Sequence, residues 1–249
     1  MIDKLEMFLA LARERHFGKA AESCNVSQPT LSAAVKSLEE SLGVMLVSRG
    51  SRFQGLTPEG ERVLEWARRI VSDARAMKME IDTAKRGLTG HVRLAVIPTA
   101  LAVVQELTTS FHEQHPEVTF SVLSRSSVEI LSLLEHLRID IGITYLDNEP
   151  VGRVATVPLF IERYRFVTSD SSTFAGRSAI SWQEAALVPL CLLTPDMQNR
   201  RIIDHYLAQS GAAVRPVLES DSMMTLVTHV RAGRWSSILP AKVVEMFSE

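Results

Sequence analysis

Apolar residues recur at helical intervals over the first third of the chain and at strand-like intervals after it. Leu5, Phe8, Leu9 and Ala12 give one buried side to a first helix, and Asp3-Lys4-Leu5-Glu6 has capping-box spacing at its start, with Asp in place of Ser or Thr. The stretch FGKAAESCNVSQPTLSAAVKSLEESL, Phe17 to Leu42, predicts a short helix, a tight turn and a second helix. Ala20 and Ala21 are small enough for a crossing helix to come close, and Cys24 and Val26 carry the apolar side through the turn. Ser27 suits an N-cap and Pro29 the first turn, where a missing N–H costs nothing. Leu31, Val35, Leu38 and Leu42 then form one buried stripe, which leaves Gln28, Thr30, Ser32, Ala33 and Lys36 on other faces. This is the build of a helix-turn-helix, whose second helix enters the DNA major groove. A helical hairpin with no role on DNA has the same pattern.

Val44 to Val47 and Phe53 to Leu56 predict two short strands around the turn signal Gly50-Ser51, with Arg49 and Arg52 flanking the tip. Such a ribbon is the wing of a winged helix-turn-helix; a solvated loop is the plainer alternative. Thr57-Pro58-Glu59 then opens a long helix, with a cap, a proline in the first position and an acid at the positive end of the dipole. Val63, Ala67, Ile70, Ala74, Met77, Ile81 and Ala84 hold a heptad seam along it, and mixed charges fill the other faces. A helix from Pro58 to Arg86 is about 43 Å long at ~1.5 Å per residue. A stripe of that length has to be buried, and a second chain fits it better than the helix's own domain. Gly87 and Gly90 end the helix.

From His91 the pattern changes to alternating strands and helices. Strands are predicted at Val92–Ile97, Val118–Leu123, Ile139–Ile143, Tyr164–Thr168, Leu187–Leu193, Val214–Glu219 and Ser236–Leu239. Helices are predicted at Ala100–His115, Ser126–Arg138, Trp182–Ala186, Asn199–Ser210 and Ser222–Ala232. This order argues for an α/β region with a largely parallel sheet, in two similar lobes with a cleft between them.

Charge changes this picture little. Residues 1–90 carry 14 Lys+Arg against 12 Asp+Glu, and the whole chain has a net charge of −2. Phosphate binding therefore has to come from local placement of Lys19, Lys36, Arg49 and Arg52, not from a general basic field. Apolar content of 46% and charged content of 22% describe an ordinary globular chain. Cys24 and Cys191 lie far apart and lack metal-ligand spacing, which suggests a reducing cytoplasm. The first residues, with Asp3 and Glu6, do not read as a signal peptide, and no apolar run suits a membrane span.

Ligands of α/β sheets bind beyond the carboxyl ends of the strands. That rule selects Thr99, Ser126, Ser127, Thr144 and Thr194. Thr99, Ser126 and Ser127 fall at helix N-termini, which suit an anion such as a carboxylate; plain N-capping is the alternative. No catalytic site is expected. The sequence holds no G-x-S-x-G, P-loop or G-x-G-x-x-G, and His112 and His115 find no further ligand at metal spacing.

The runs AAESCNVSQPTLSAAVKSLEESLGVMLVSR and LTPEGERVLEWAR resemble the DNA-binding domain and linker helix of LysR-type transcriptional regulators. Residues 91–249 resemble the family's effector domain more loosely, through Leu94, Pro116 and Ile139-Asp140. The resemblance implies an α+β multidomain chain: a winged helix-turn-helix over 1–58, a coiled-coil linker and dimerisation helix over 59–88, and a two-lobed, periplasmic-binding-protein-like α/β domain. Its lobes would span 91–160 and 161–249. It further implies a cytoplasmic homodimer or dimer of dimers on double-stranded promoter DNA, with RNA polymerase as a partner if it activates. A small organic effector, by family default a carboxylate, would bind the interlobe cleft; no metal or other cofactor is implied. Carried over, Gln28, Pro29, Thr30, Ser32 and Lys36 lie on the DNA-facing helix, Arg49 and Arg52 in the wing, and Thr99, Ser126 and Ser127 along the cleft. Departures stand out at Ala33 and Ala34, often long and polar in the family, and at Leu137, often Gly. The run Arg231 to Trp235 replaces a glycine-rich turn. At Ala33 a thymine methyl could still be touched. The end at Glu249, short of a strand and helix usual in the family, leads us to expect a C-terminal truncation. A truncated, effector-blind DNA binder and an α/β ligand-binding protein or enzyme are the competing expectations.

Overall fold

The computed structural model describes residues 1–48, 53–147, 150–152, 154–169, 173–174, 176–211 and 214–247. The chain divides into two compact units, one formed by Met1–Gly90 with Leu133–Arg138, the other by His91–Ser132 with Ile139–Glu249.

The first unit begins with α1 (Ile2–Glu14), α2 (Phe17–Ser23) and α3 (Gln28–Leu42). Phe8, Leu11, Leu31 and Leu38 are fully buried where these helices cross, with Ala20 and Ala21 at the close approach. Asn25 makes the tight turn between α2 and α3 at φ 55°, a left-handed conformation that Asn tolerates. Two sequence expectations need correction here. The helix α1 starts at Ile2 with Met1 as its cap residue, so Asp3 sits inside the first turn and caps nothing. Leu42 is 42% exposed, because Gly43 ends α3 in the left-handed region before the stripe returns to the core.

The expected ribbon shrinks to one antiparallel bridge, Val47 to Leu56, flanked by Ser48 N–H to Gly55 O at 3.0 Å and Thr57 N–H to Leu46 O at 3.0 Å. Arg49, Arg52 and the tip between them lie outside the described residues. Glu39 of α3 accepts the backbone N–H groups of Leu46 and Val47 at 2.8 and 3.1 Å. It stitches α3 to the base of the ribbon. Thr57 joins the same base to α4 (Pro58–Arg86): its hydroxyl donates to Met45 O at 2.6 Å and accepts from Gly60 N–H at 2.9 Å.

The long helix α4 has the predicted ends, but its seam is used differently. Leu64, Ala67 and Val71 are buried in the core of the first unit, and Val63 packs against that core. Assigning Val63 and Ala67 to a second chain is therefore corrected. Two stripes of the same period, offset by one residue, share Ala67, and the chain's own α1 takes the inner one. Ile70, Met77 and Ile81 remain 42%, 58% and 47% exposed, and Ala74 is half-buried. The side chain of Ala84 lies outside the described residues.

Next in the chain come β1 (Gly90–Val96), a short 3-10 turn at Pro98–Ala100, α5 (Leu101–Gln114), β2 (Val118–Ser124), α6 (Ser127–Glu135) and β3 (Ile141–Ile143), which lie in the second unit except for Gly90 and the end of α6 from Leu133. Their sheet has the order β2-β1-β3, with β1 and β3 parallel and Leu94, Ala95 and Val96 opposite Ile141, Gly142 and Ile143. Ahead of β3, Leu137 holds φ 53°, the left-handed region that makes a glycine common at this place in the resembled family. After it come β4 (Tyr164–Val167), α7 (Trp182–Ala186), β5 (Cys191–Leu193), α8 (Gln198–Gln209), β6 (Leu218–Ser220), α9 (Met223–Arg231), β7 (Ser237–Pro240) and α10 (Ala241–Met246). The pair β5 and β6 is parallel and β4 and β7 are antiparallel, an exception within the largely parallel arrangement expected. Leu190, Leu192 and Ile238 pack on one face, and Cys191, Leu193 and Leu239 on the other. This two-sided burial explains why the strand reads as an unbroken apolar run. The helix α10 was not expected from the sequence. Among the described residues, no helix is long and apolar enough to cross a membrane.

Candidate nucleic-acid interface and ligand cavity

The packing of α3 fixes which of its residues face outward. Ser27 stands in extended geometry, and its hydroxyl accepts from Thr30 N–H at 3.3 Å and pairs with the Thr30 hydroxyl at 2.8 Å. Leu31, Val35 and Leu38 are held in the core, so the opposite face projects into solvent. Gln28, Pro29, Thr30, Ala33 and Lys36 are exposed on it, with Ser32 half-buried at its edge. Lys36 approaches Glu40 at 3.8 Å, but both are well exposed. Such a pair contributes at most a few tenths of a kcal/mol, so its ammonium remains open to a phosphate. Lys19 is exposed on α2. His16, which the sequence reading missed, caps that helix by accepting Gly18 N–H at 3.1 Å and Lys19 N–H at 3.3 Å.

In the second unit, the five nominated hydroxyl residues do not form one site. Thr99 is buried, with its hydroxyl 3.2 Å from that of Tyr145. It belongs to a polar cluster assembled from distant segments: Tyr145 donates to Glu162, and Asn199 Nδ2 lies 3.3 Å from the Tyr145 oxygen and 3.4 Å from that of Tyr164. Thr99, Tyr164 and Asn199 lie close enough to the Glu162 carboxyl to favour its charged form, as Tyr145 does. Burial pushes the Glu162 carboxyl above the ordinary carboxylate range, and these neighbours oppose that. Burial first, and the neighbouring carboxyl second, raise the Tyr145 phenol.

Ser126 lines a cavity of about 1000 Å³ and caps α6 together with Glu129. Ser127 and Thr144 each bury a hydroxyl without a hydrogen-bond partner among the described residues. Thr194 is half-buried, and its N–H donates to Ser220 O at 3.1 Å. The cavity opens beyond the ends of β1, β2, β5 and β6, as the strand rule requires, but its wall is mostly apolar. Met197, Met223, Met224, Met246 and Phe247 contribute to it, with Arg125 and Arg201 among its charged groups. No sequence signal marked these methionines: Met197, Met223 and Met224 sit at helix starts and Met246 at a helix end, all with ordinary spacing.

Residues 2–61 match the family described as bacterial regulatory helix-turn-helix protein, lysR family, and residues 85–249 match the LysR substrate binding domain. Among curated relatives, a probable hydrogen peroxide-inducible genes activator of Streptomyces viridosporus is 32% identical over 98% of this chain and 78% of its own length. The DNA-binding transcriptional dual regulator OxyR of Escherichia coli K12 is 29% identical over 98% of this chain and 80% of its own. Full-length OxyR from Pseudomonas aeruginosa has a similar structure, with a TM-score of 0.72 and 27% identity, covering 97% of this chain and 81% of that one.

Proposed function

This chain belongs to the LysR family of bacterial transcriptional regulators, and we propose that its α3 face reads one half-site of a promoter dyad. It is a DNA-binding regulator that works as a homo-oligomer and carries an effector domain. The observation that carries the proposal is the outward face of α3, set by Ser27 and by the burial of Leu31, Val35 and Leu38. Gln28, Pro29, Thr30, Ser32 and Ala33 would meet base edges there, with Lys19, Lys36, Arg49 and Arg52 on the phosphates. The exposed remainder of the α4 stripe, Ile70, Ala74, Met77 and Ile81, would face a second copy. The winged domain over 1–58 and the linker over 59–88 would then act together. Lobes over 91–160 and 161–249 would respond to a small molecule in the cavity beside Ser126. The regulator would act in the cytoplasm without enzymatic turnover, and as an activator it would meet RNA polymerase.

Gel shifts on DNA upstream of its own gene test this reading. A specific complex that weakens steeply as salt rises is expected, and its absence would sink the proposal. Lys36→Ala should weaken binding to all sequences and lower the salt slope by about one, whereas Ser32→Ala should relax preference at a single base position. Equal losses on specific and random DNA would remove Ser32 from base reading.

The peroxide response named in the relatives is not carried over to this chain. Cys191 is the sole cysteine of residues 91–249, it is fully buried, and burial pushes its thiol up. A thiol in that state is a poor nucleophile toward peroxide. Treatment with peroxide should leave DNA affinity unchanged. A change that Cys191→Ser abolishes would restore the redox reading.

A further inference from the structure

The first turn of α8 is held from two sides. Met197, its cap residue, and Arg201 stand in the cavity wall. Gln198 and Asn199, which lie between them in the sequence, are 3% and 4% exposed, and their amides are spent on the chain itself. Gln198 Nε2 donates to Asp147 O at 2.9 Å. Asn199 Nδ2 lies 3.3 Å from the Tyr145 oxygen and 3.4 Å from that of Tyr164. Tyr145 in turn donates to Glu162, and its oxygen is 3.2 Å from the Thr99 hydroxyl.

These partners come from two halves of the second unit. Thr99 follows β1, and Tyr145 and Asp147 follow β3, both strands of the β2-β1-β3 sheet. Glu162 and Tyr164 stand at the start of β4, and Gln198 and Asn199 open α8, which follows β5. Among the described residues, no strand pairing joins the first sheet to β4–β7 or β5–β6. The ion pair of Lys242 with Glu106, at 4.0 Å, also crosses between the halves, but both side chains are more than half exposed and it contributes little. The buried ties around Tyr145 and Asn199 are therefore the directional contacts that fix one half against the other. Both partners of such a tie find water when it opens, so parting it costs less than parting an apolar core. The cavity lies across the same division, with Ser124 and Ser126 from one half and Met197 and Met223 from the other.

We propose that Tyr145, Glu162, Gln198 and Asn199 form a latch between the two halves, and that its closure sets the width of the cavity beside it. Any ligand that acts by moving the halves then works against this latch, through the turn of α8 that carries Met197 and Arg201. The inference does not depend on what the cavity binds.

The test uses the full chain with Cys24→Ser, Thr109→Cys and Gln209→Cys, which puts one nitroxide label on exposed α5 and one on exposed α8; Cys191 is fully buried and takes none. Paired-spin distance measurement should give one narrow distance in this labelled parent. Tyr145→Phe and Glu162→Leu should each add a second, resolved distance, whereas Glu162→Gln, which keeps an acceptor for Tyr145, should retain the single one. Hydrogen exchange should rise tenfold or more at 144–147 and in the first turn of α8, with β1 and β5 at parental rates. A single unchanged distance in both Tyr145→Phe and Glu162→Leu overturns the latch. So does exchange that rises evenly through the unit, since that is loss of ordinary stability. If these variants unfold, Gln198→Leu, which removes only the bond to Asp147, puts the same question and is read in the same way.

Discussion

Gly60→Ala is expected to destabilise the winged unit by about 3 kcal/mol or more and to abolish DNA binding with it. In an exposed helix the same exchange stabilises by roughly 1 kcal/mol, so the expected sign is opposite to the intrinsic one. The reason is a close approach. A Cβ built on Gly60 would lie 2.1 Å from Leu46 O, 3.0 Å from Leu46 C and 3.2 Å from Leu56 Cβ. The nearest atom is backbone, so no rotamer change relieves the clash. Leu46 is itself pinned, since its N–H donates to Glu39 and its carbonyl accepts from Thr57 N–H at 3.0 Å. Opening about an ångström of space must therefore strain the Glu39 bonds that join α3 to the ribbon, or the Thr57 cap of α4, or both. Hydrogen exchange separates the two units. Protection should collapse in α1 and α3 while α8 keeps its parental rates. A variant that retains parental protection in α1 and α3 and still shifts promoter DNA would show that the base of the ribbon yields easily.

That base also shows where sequence reading ended. Ser27, Pro29 and the Leu31-Val35-Leu38 stripe carry local signals, since capping and period are set within a few residues. They placed α3 correctly, as Thr57-Pro58 and Gly87 placed α4. The apolar run ending in Leu193 was legible as a buried strand because both faces of β5 are covered. Glu39 was not legible. It looks like any solvated helix acid, and its partners at 46 and 47 become neighbours only when the chain turns at Gly43. The α4 stripe failed for another reason. The set Leu64-Ala67-Val71 and the set Val63-Ala67-Ile70 have the same period, so spacing could not tell which one α1 would bury. In the second unit, the strand-end rule named Ser126, which lines the cavity, and Thr99, which instead joins the polar cluster around Tyr145 and Glu162. Donor placement is local, whereas the cluster around Glu162 joins distant segments, such as those of Tyr145 and Asn199, which are 54 positions apart.

The outer stripe of α4 makes the second large prediction. Met77→Glu combined with Ile81→Glu should convert the protein to monomers and lower affinity for a two-half-site promoter by about 10²–10⁴. Ile70, Met77 and Ile81 lie along roughly 16 Å of one helix face, each exposed by two-fifths or more, where water contact is unfavourable. Two copies that lay these stripes together would bury them, and the inner stripe already fixes how α4 stands on its own core. Placing two carboxylates per chain in that seam leaves charges without counter-ions in an apolar contact, at a cost of about 3–5 kcal/mol for each uncompensated group. The core residues Leu64, Ala67 and Val71 are untouched, so each monomer should fold with parental hydrogen exchange in α1 and α3. The α3 face is also intact, so affinity for a single half-site should be unchanged. The losses thus fall on the coupling between half-sites and not on reading either one. Sedimentation and gel shifts on one-site and two-site DNA measure the two effects separately. A variant that remains dimeric at micromolar concentration, with two-site affinity intact, would remove the outer stripe of α4 from the dimer seam.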